Sequence, residues 1–451
     1  MEVEALLGFV AATGWRDIPD AVRHRAKLVL LDTLGVILAG SQRPEIQALQ
    51  ARLSGTAGTG ASLLAPACPA SDPRTAAMLN AIAGRSVELC EGTIGLQPAV
   101  HMLPALLAIA EQRGLSGEAM LEALVLGYEV AGRLGQGFTP RVFAHPNGQV
   151  SLLAAVAGGA RLMGLDAAAI SLATRVATTM LMTPSYTNTA AGGTTLNLPA
   201  GMAAFAAVLA PEMAQAGYFA KDDAIEEGLG TMVGAGFDPS RLAEGLGSSW
   251  HIAGGYFRFY ACCNPIHPAL DSLRECLETL RPAVADIERI EVTTFAFASV
   301  MSNAAPPNYF ASKYSLPHAA ATLIVRGGLG FAELDDSALE DPEIARVRPL
   351  VHIEADPAMT AKGPALKPAR VVLMLRDGRR AEAACENSRR DTELEDPEAA
   401  VRAKFAELAG TVLTAAGVQA LEHAVDRAET WDSMAVMTDV LRRHVRDREP
   451  V

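Results

Sequence analysis

Aromatic residues make up only 5% of the 451 residues. An all-β protein needs more aromatic and β-branched side chains than that. Positive charge is also short: 38 Lys and Arg face 51 Asp and Glu, for a net charge of −13. Phosphate backbones attract basic surfaces, so this balance argues against a nucleic-acid partner. The six cysteines lie scattered at Cys68, Cys90, Cys262, Cys263, Cys276 and Cys385, with no CxxC pair and no dense disulfide framework. Reduced thiols and a cytoplasmic location are the simplest expectation. The start, Met-Glu-Val-Glu, lacks the basic residues of a secretory signal. No unbroken apolar stretch of about 20 residues appears, so no membrane span is expected. The run from Leu196 to Ala210 is interrupted by Asn197 and Pro199 and reads as a buried helix. Walker A, HExxH and GxSxG motifs are missing, and Gly228-Leu-Gly230 continues to Gly234 without a preceding strand. Kinase, zinc-hydrolase, serine-hydrolase and dinucleotide-dependent chemistry therefore have no motif behind them.

What is present is alanine and leucine, side chains that lose little entropy in a helix. Residues 1–256 read as successive helices, at 21–39, 73–85, 99–113, 116–135, 148–163, 166–180 and 196–210. In the first of these Leu28, Leu31, Leu34 and Ile37 make an apolar face. Gly40, Gly114 and Gly164 fall where C-terminal caps belong. Beyond about 258 the pattern changes. Glu288–Phe295 and Arg370–Arg376 read as strands, the second turning at Asp377-Gly378 into a return strand. Helices at 267–280 and 315–326 lie between them, and helical periodicity resumes at 397–409, 416–427 and 431–446. The expected fold is mainly α: an all-helical lobe of residues 1–256 plus 396–451, carrying an inserted α+β lid lobe of residues 257–395.

Five polar clusters could carry chemistry. Glu88-Leu-Cys-Glu91-Gly-Thr93, with Gln97 and His101 after it, is a polar turn between apolar helices. Taken alone it reads as a solvated loop. His145, in Phe143-Ala-His145-Pro-Asn147-Gly, stands just before a helix whose dipole favours the neutral imidazole. A loop histidine that helps cap the helix is its plainer reading. Pro184–Gly201 is rich in hydroxyls and amides, and residues 176–220 contain no Lys or Arg. Arg258 sits among Tyr256, Phe257, Phe259 and Tyr260, a setting suited to gripping a carboxylate. His267 and Asp271, four residues apart, share one helical face. Ser315-Leu-Pro317 opens a helix at His318, which alone reads as a capped core histidine.

These clusters, in this order, resemble the MmgE/PrpD family, whose members include 2-methylcitrate dehydratase, cis-aconitate decarboxylase and iminodisuccinate epimerase. The marks are Leu31-Asp-Thr-Leu-Gly35 with Ala39-Gly40; His145-Pro146 with Gly164-Leu165-Asp166; Tyr260-Ala-Cys-Cys263 with His267-Pro-Ala-Leu-Asp271; and Tyr314-Ser-Leu-Pro317. The resemblance implies cofactor-free, metal-independent proton abstraction beside a carboxylate, in a homodimer. It places Glu88–Thr93 at the family's acidic turn and His145 at its second catalytic histidine. Several family residues are replaced. Gln97 stands for the first histidine, with His101 one turn on as its substitute. Asn197 stands for one lysine, Arg258 for another, and His318 for a tyrosine.

The sequence therefore points to a lyase, dehydratase-like or decarboxylase-like, acting on a small substrate with at least one carboxylate. Fewer cations imply fewer carboxylates than a citrate-like acid has. The expected catalytic residues are His145, His318, Glu88 and His101, and the expected substrate-binding residues are Gln97, Thr93, Asn197, Arg258 and Tyr260. The alternatives are an isomerase, epimerase or cyclase on the same fold, and a non-catalytic binding protein.

Overall fold

Alanine-rich helices can approach closely because little side chain separates their backbones, and the architecture follows from that. A computed structural model describes residues 2–53, 60–141, 143–363, 366–389 and 393–446. The chain is mainly helical and divides into two compact units. The first comprises Met1–Tyr186, Thr195–Tyr256 and Glu398–Val451; the second comprises Thr187–Thr194 and Phe257–Pro397.

The first unit is a helical assembly. Its longer helices are α1 (Glu2–Ala12), α2 (Asp20–Gly40), α3 (Pro44–Leu53), α4 (Pro73–Arg85), α5 (Pro98–Arg113), α6 (Gly117–Gly137), α7 (Val150–Leu162), α8 (Ala167–Val176) and α9 (Leu198–Gln215). Three more, Pro397–Ala409, Ala415–Asp426 and Ala435–Arg443, follow late in the chain. Two small antiparallel pairs, Ala61–Ser62 with Ala70–Ser71 and Phe138–Pro140 with Gly234–Phe237, are the strands of this unit among the described residues. Helix α2 does not present the single apolar face its spacing suggests. Every residue from Leu28 to Gly40 is buried, Asp32 and Thr33 included.

Helix α9 packs against α4, α5, α7 and α8. Its lead-in from Thr194 makes it the one helix, among the described residues, long and apolar enough to cross a membrane. Yet 67% of its apolar window is buried inside the protein, as in the core helix of a globular unit. Small residues set these contacts. A Cβ on Gly159 of α7 would meet the Ala207 carbonyl oxygen of α9 at 2.5 Å.

Gly114 and Gly164 adopt the left-handed conformation expected of residues that end helices. Gly40 does not. It remains inside α2, with Ser41 as the cap. Its role is close approach, because a Cβ there would lie 1.8 Å from the Ala83 carbonyl oxygen of α4.

The second unit is α+β. Four strands, β1 (Ile287–Thr294), β2 (Val351–Ala355), β3 (Ala369–Leu375) and β4 (Arg380–Cys385), order as β2-β1-β3-β4. Strands β1 and β3 are antiparallel, pairing Ile290 with Leu373 and Val292 with Val371. The β3–β4 hairpin turns at Asp377-Gly378 as expected, with Gly378 at φ +86°. Strand β2 was not foreseen. It pairs parallel to β1 at the sheet edge, and its mostly exposed Val-His-Ile-Glu-Ala run carries little strand signal. Helix α10 (His267–Leu280) packs on β3 and β4, and α11 (Leu316–Arg326) packs on α10.

The Gly40 approach gives a direct test. Gly40→Ala should lower stability by about 3 kcal/mol or more, since backbone cannot step aside as a flexible side chain can. Gly8→Ala, inside α1 with nothing within 4 Å of the added methyl, should raise it by about 0.5–1 kcal/mol. Urea unfolding of both variants measures the contrast.

Candidate functional site

In the first unit the acidic turn is buried. Glu88 and Glu91 are each 1% exposed, Thr93 is 3% and Gln97 6%. This corrects the plain reading of Glu88–Thr93 as a solvated loop. The turn is held by one partner near in sequence and by others distant from it. Glu88 pairs with Arg85, itself buried. Its backbone is left-handed at φ +56°, a strain of about 1–3 kcal/mol for a non-glycine residue. Lys404, from the helix Pro397–Ala409, donates to the Leu89 carbonyl oxygen at 2.5 Å and sits 2.6 Å from Asp32 of α2. Glu91 accepts from the Ala99 N–H at 2.9 Å and from the Tyr128 hydroxyl. Burial nevertheless pushes the Glu91 carboxyl up to about 7. Gly92 and Tyr256 exchange two backbone hydrogen bonds, of 2.9 and 2.8 Å, which fix the end of the turn.

The turn delivers the first residues of α5. Gln97 is the N-cap, and its side-chain oxygen has no hydrogen-bond partner. His101, fully buried, donates from Nδ1 to the Gln97 carbonyl oxygen at 2.7 Å. That leaves Nε2 as the lone-pair nitrogen, and it too lacks a partner. Burial pushes the ring down to about 4, so it is neutral at pH 7.

His145 lies in a loop pinned to the segment before Tyr186. Its N–H donates to the Pro184 carbonyl at 2.9 Å, and its ring stacks on Tyr186 with centroids 5.0 Å apart. Nδ1 accepts from the Asn147 N–H at 3.2 Å, which holds the ring in the tautomer with its proton on Nε2. Helix α7 starts only at Val150, so this local bond fixes the ring more directly than the dipole does. Gly148, at φ +79°, comes so close to α9 that a Cβ would lie 2.9 Å from Pro199. The His145 loop and the start of α9, with Asn197 as N-cap, are therefore neighbours.

The second unit buries cations as well. Arg258, Lys313 and Arg348 are 1%, 0% and 7% exposed. Arg258 donates to the Cys262 carbonyl, and Cys263 N–H donates to the Lys313 carbonyl at 2.8 Å, so the two segments run together. Tyr260 gives its hydroxyl to Asp271 at 2.7 Å, and Ser388 donates to the other Asp271 oxygen at 2.9 Å. Tyr260 thereby acts as a buttress for α10. His267 donates from Nε2 to the Cys262 carbonyl at 2.9 Å. His318 stands in the first turn of α11, its backbone N–H capped by Ser315 Oγ at 3.0 Å. The ring is buried, and neither nitrogen has a partner. Burial first, then the charges of Arg348, Lys313 and Arg326, push it down to about 3. It is a neutral ring in a positive field. Among the described residues no three His, Cys, Asp or Glu side chains gather as a metal site would require.

The structure thus groups Glu88, Thr93, Gln97 and His101 around one turn, and sets the loop of His145 beside Asn197. Arg258, Tyr260 and His318 belong to the second unit. The residue selection from sequence passed over Glu91, Lys404 and Lys313. Glu91 stands inside the acidic turn and Lys313 directly before Tyr314-Ser-Leu-Pro317, whereas nothing near Lys404 marks it.

A mainly helical unit and an α+β unit, interleaved along one chain, define a two-domain protein with separate N- and C-terminal signatures. Residues 4–241 match the MmgE/PrpD N-terminal domain and residues 260–430 the MmgE/PrpD C-terminal domain. The chain belongs to the MmgE/PrpD family. It is similar to a cis-aconitate decarboxylase of Aspergillus terreus, 25% identical over 400 residues and covering 80% of each chain. It is likewise similar to the cis-aconitate decarboxylase-like protein oryM of Aspergillus oryzae, 24% identical over 456 residues and covering 92% of each.

Glu91 supplies a pH test. Its carboxyl titrates higher folded than unfolded, so its contribution is fully present below about pH 4.5 and is lost as pH rises through about 7. Glu91→Gln cannot ionise. Its unfolding free energy in urea should therefore fall less than that of the wild type between pH 5 and 8, by about 3 kcal/mol. Parallel slopes for the two proteins would show that Glu91 does not titrate there.

Proposed function

We propose that the chain is a lyase, of the dehydratase or decarboxylase kind, that removes a proton beside a carboxylate on a small carboxylate-bearing substrate. One observation carries the reading. Fully buried imidazoles are held neutral with ring nitrogens that no protein group satisfies, at His101 Nε2 and at both nitrogens of His318. A buried polar atom left unpaired costs about 1–3 kcal/mol, a cost that persists where a ligand supplies the partner. Membership of the family, and the names of the two relatives, support the same class of chemistry.

In this reading His145 is the proton acceptor and donor, since its tautomer is set by Asn147. His318 is the second candidate. Its depressed basicity suits it better to donate a neutral hydrogen bond to a carboxylate, as its positive surroundings also favour. Glu88, Thr93, Gln97 and Asn197 orient the substrate, with His101 as the further base. Arg258 grips a carboxylate, a task for which a guanidinium fork is matched. A homodimer belongs to the proposal through the family resemblance.

The test follows small mono-, di- and tricarboxylates, cis-aconitate among them, by NMR in D2O with the full-length protein. Loss of water should give an alkene, with the proton beside the carboxylate released to solvent, and loss of carbon dioxide should give a product carrying one deuterium taken from solvent. His145→Ala should slow turnover by about 10²–10⁴-fold without changing the melting temperature materially. Undiminished turnover in both His145→Ala and His318→Ala would refute the assignment. Deuterium entry without loss of a group would identify an isomerase, and stabilisation by ligand without turnover a binding protein.

A further inference from the structure

Gln149 is the N-cap of α7, yet its side chain caps nothing. It is 0% exposed, and among the described residues neither its amide nitrogen nor its amide oxygen has a partner. Other buried groups on the same segment, and at the start of α9, are in the same condition. Asn147 Nδ2 and Ser151 Oγ, both 1% exposed, are unpaired, as is Oδ1 of Asn197, 3% exposed. Asn197 is the N-cap of α9, again with no side-chain capping bond. The close approach of Gly148 to Pro199 brings the two helix starts together. No Lys or Arg lies between residues 176 and 220.

Whichever way the Gln149 amide is turned, one of its ends donates and the other accepts. A carboxylate supplies acceptors only and would leave the accepting end of Gln149 without a donor. A group that both donates and accepts satisfies the set. We propose that Asn147, Gln149, Ser151 and Asn197, at the paired starts of α7 and α9, form a subsite for an uncharged donor–acceptor group of the substrate, a carboxamide or a hydroxyl. The substrate is then a monocarboxylate whose other end is neutral and polar. This rests on the carboxylate reading above and specifies the other end of the same molecule.

Calorimetry with the full-length protein and four probes of equal carbon count tests it: succinamate, 4-hydroxybutyrate, succinate and butyrate. Succinamate or 4-hydroxybutyrate should bind about tenfold tighter than both butyrate and succinate, and the better of the two names the group. Gln149→Leu should abolish that advantage over butyrate. Asn197→Lys, which adds a cation at the same place, should turn the preference toward succinate, and it decides the matter should Gln149→Leu fail to fold. Equal binding of all four probes, tighter binding of succinate by the wild type, or an unchanged order in a folded variant overturns the subsite while leaving the carboxylate reading in place. Binding of none of the four overturns the carboxylate reading and the subsite with it.

Discussion

The helical unit depends on a buried charge pair that ties its beginning to its end. Asp32 sits in the middle of α2, and Lys404 arrives from the helix Pro397–Ala409 to meet it at 2.6 Å. Both are nearly inaccessible to water. Burial pushes the Asp32 carboxyl up while the ammonium pulls the other way. Such a pair contributes little net stability over an apolar pair of the same shape. Loss of either partner is another matter, because it strands the remaining charge, at about 3–5 kcal/mol. The ammonium also takes the Leu89 carbonyl, so the same group that neutralises Asp32 holds the acidic turn. That second bond gives the pair a positional role which apolar residues could not fill.

From that turn the local arrangement follows in order. A left-handed Glu88 braced by Arg85 aims the chain inward, and Glu91 catches the Ala99 N–H at the start of α5. Helix α5 therefore begins at a fixed place, and His101 stands one turn in with Nδ1 already spent on the Gln97 carbonyl. Orientation and protonation are set by one bond, since the nitrogen that donates leaves the other free to accept. The two units solve opposite problems. The helical unit offers buried neutral donors and acceptors around Gln97, Gln149 and Asn197. The α+β unit keeps Arg258, Lys313 and Arg348 out of water, and burial of His318, followed by the charges of Arg348, Lys313 and Arg326, depresses its basicity.

The helices were legible because their periodicity and glycine stops are local. Those at 73–85, 267–280 and 397–409 have the expected limits, and the β3–β4 hairpin followed from Asp377-Gly378. What escaped was non-local. Strand β2 is defined by its pairing to β1, since an exposed edge need not alternate. Gly40 looked like a cap because sequence shows a helix ending, whereas the reason for glycine is the Ala83 carbonyl on another helix. The acidic turn looked solvated because Lys404 and Tyr128, two of the groups that hold it, are far away in sequence. The Lys404 to Leu89 bond spans 315 residues. The reactive residue types were readable at His145, His101 and His318. The tautomers of His101 and His145 were not, because each depends on a backbone group placed by the fold.

Among the described residues, buried polar atoms without partners gather at the starts of α7 and α9, where the packing is tight. Glycine and alanine contacts bring α7 and α9 together to within a methyl group of each other's backbone. At that spacing the helix starts could have been filled with apolar side chains at no cost to packing. Gln149, Ser151 and Asn197 stand there instead, each losing the water it would have bonded. Natural structures satisfy most such groups, so a concentration of unsatisfied ones marks where stability has been exchanged for recognition. Rigid helices fix these groups in place before any ligand arrives, and little ordering entropy remains to be lost on binding. A scaffold selected for stability alone would have capped both helices and left no acceptor waiting.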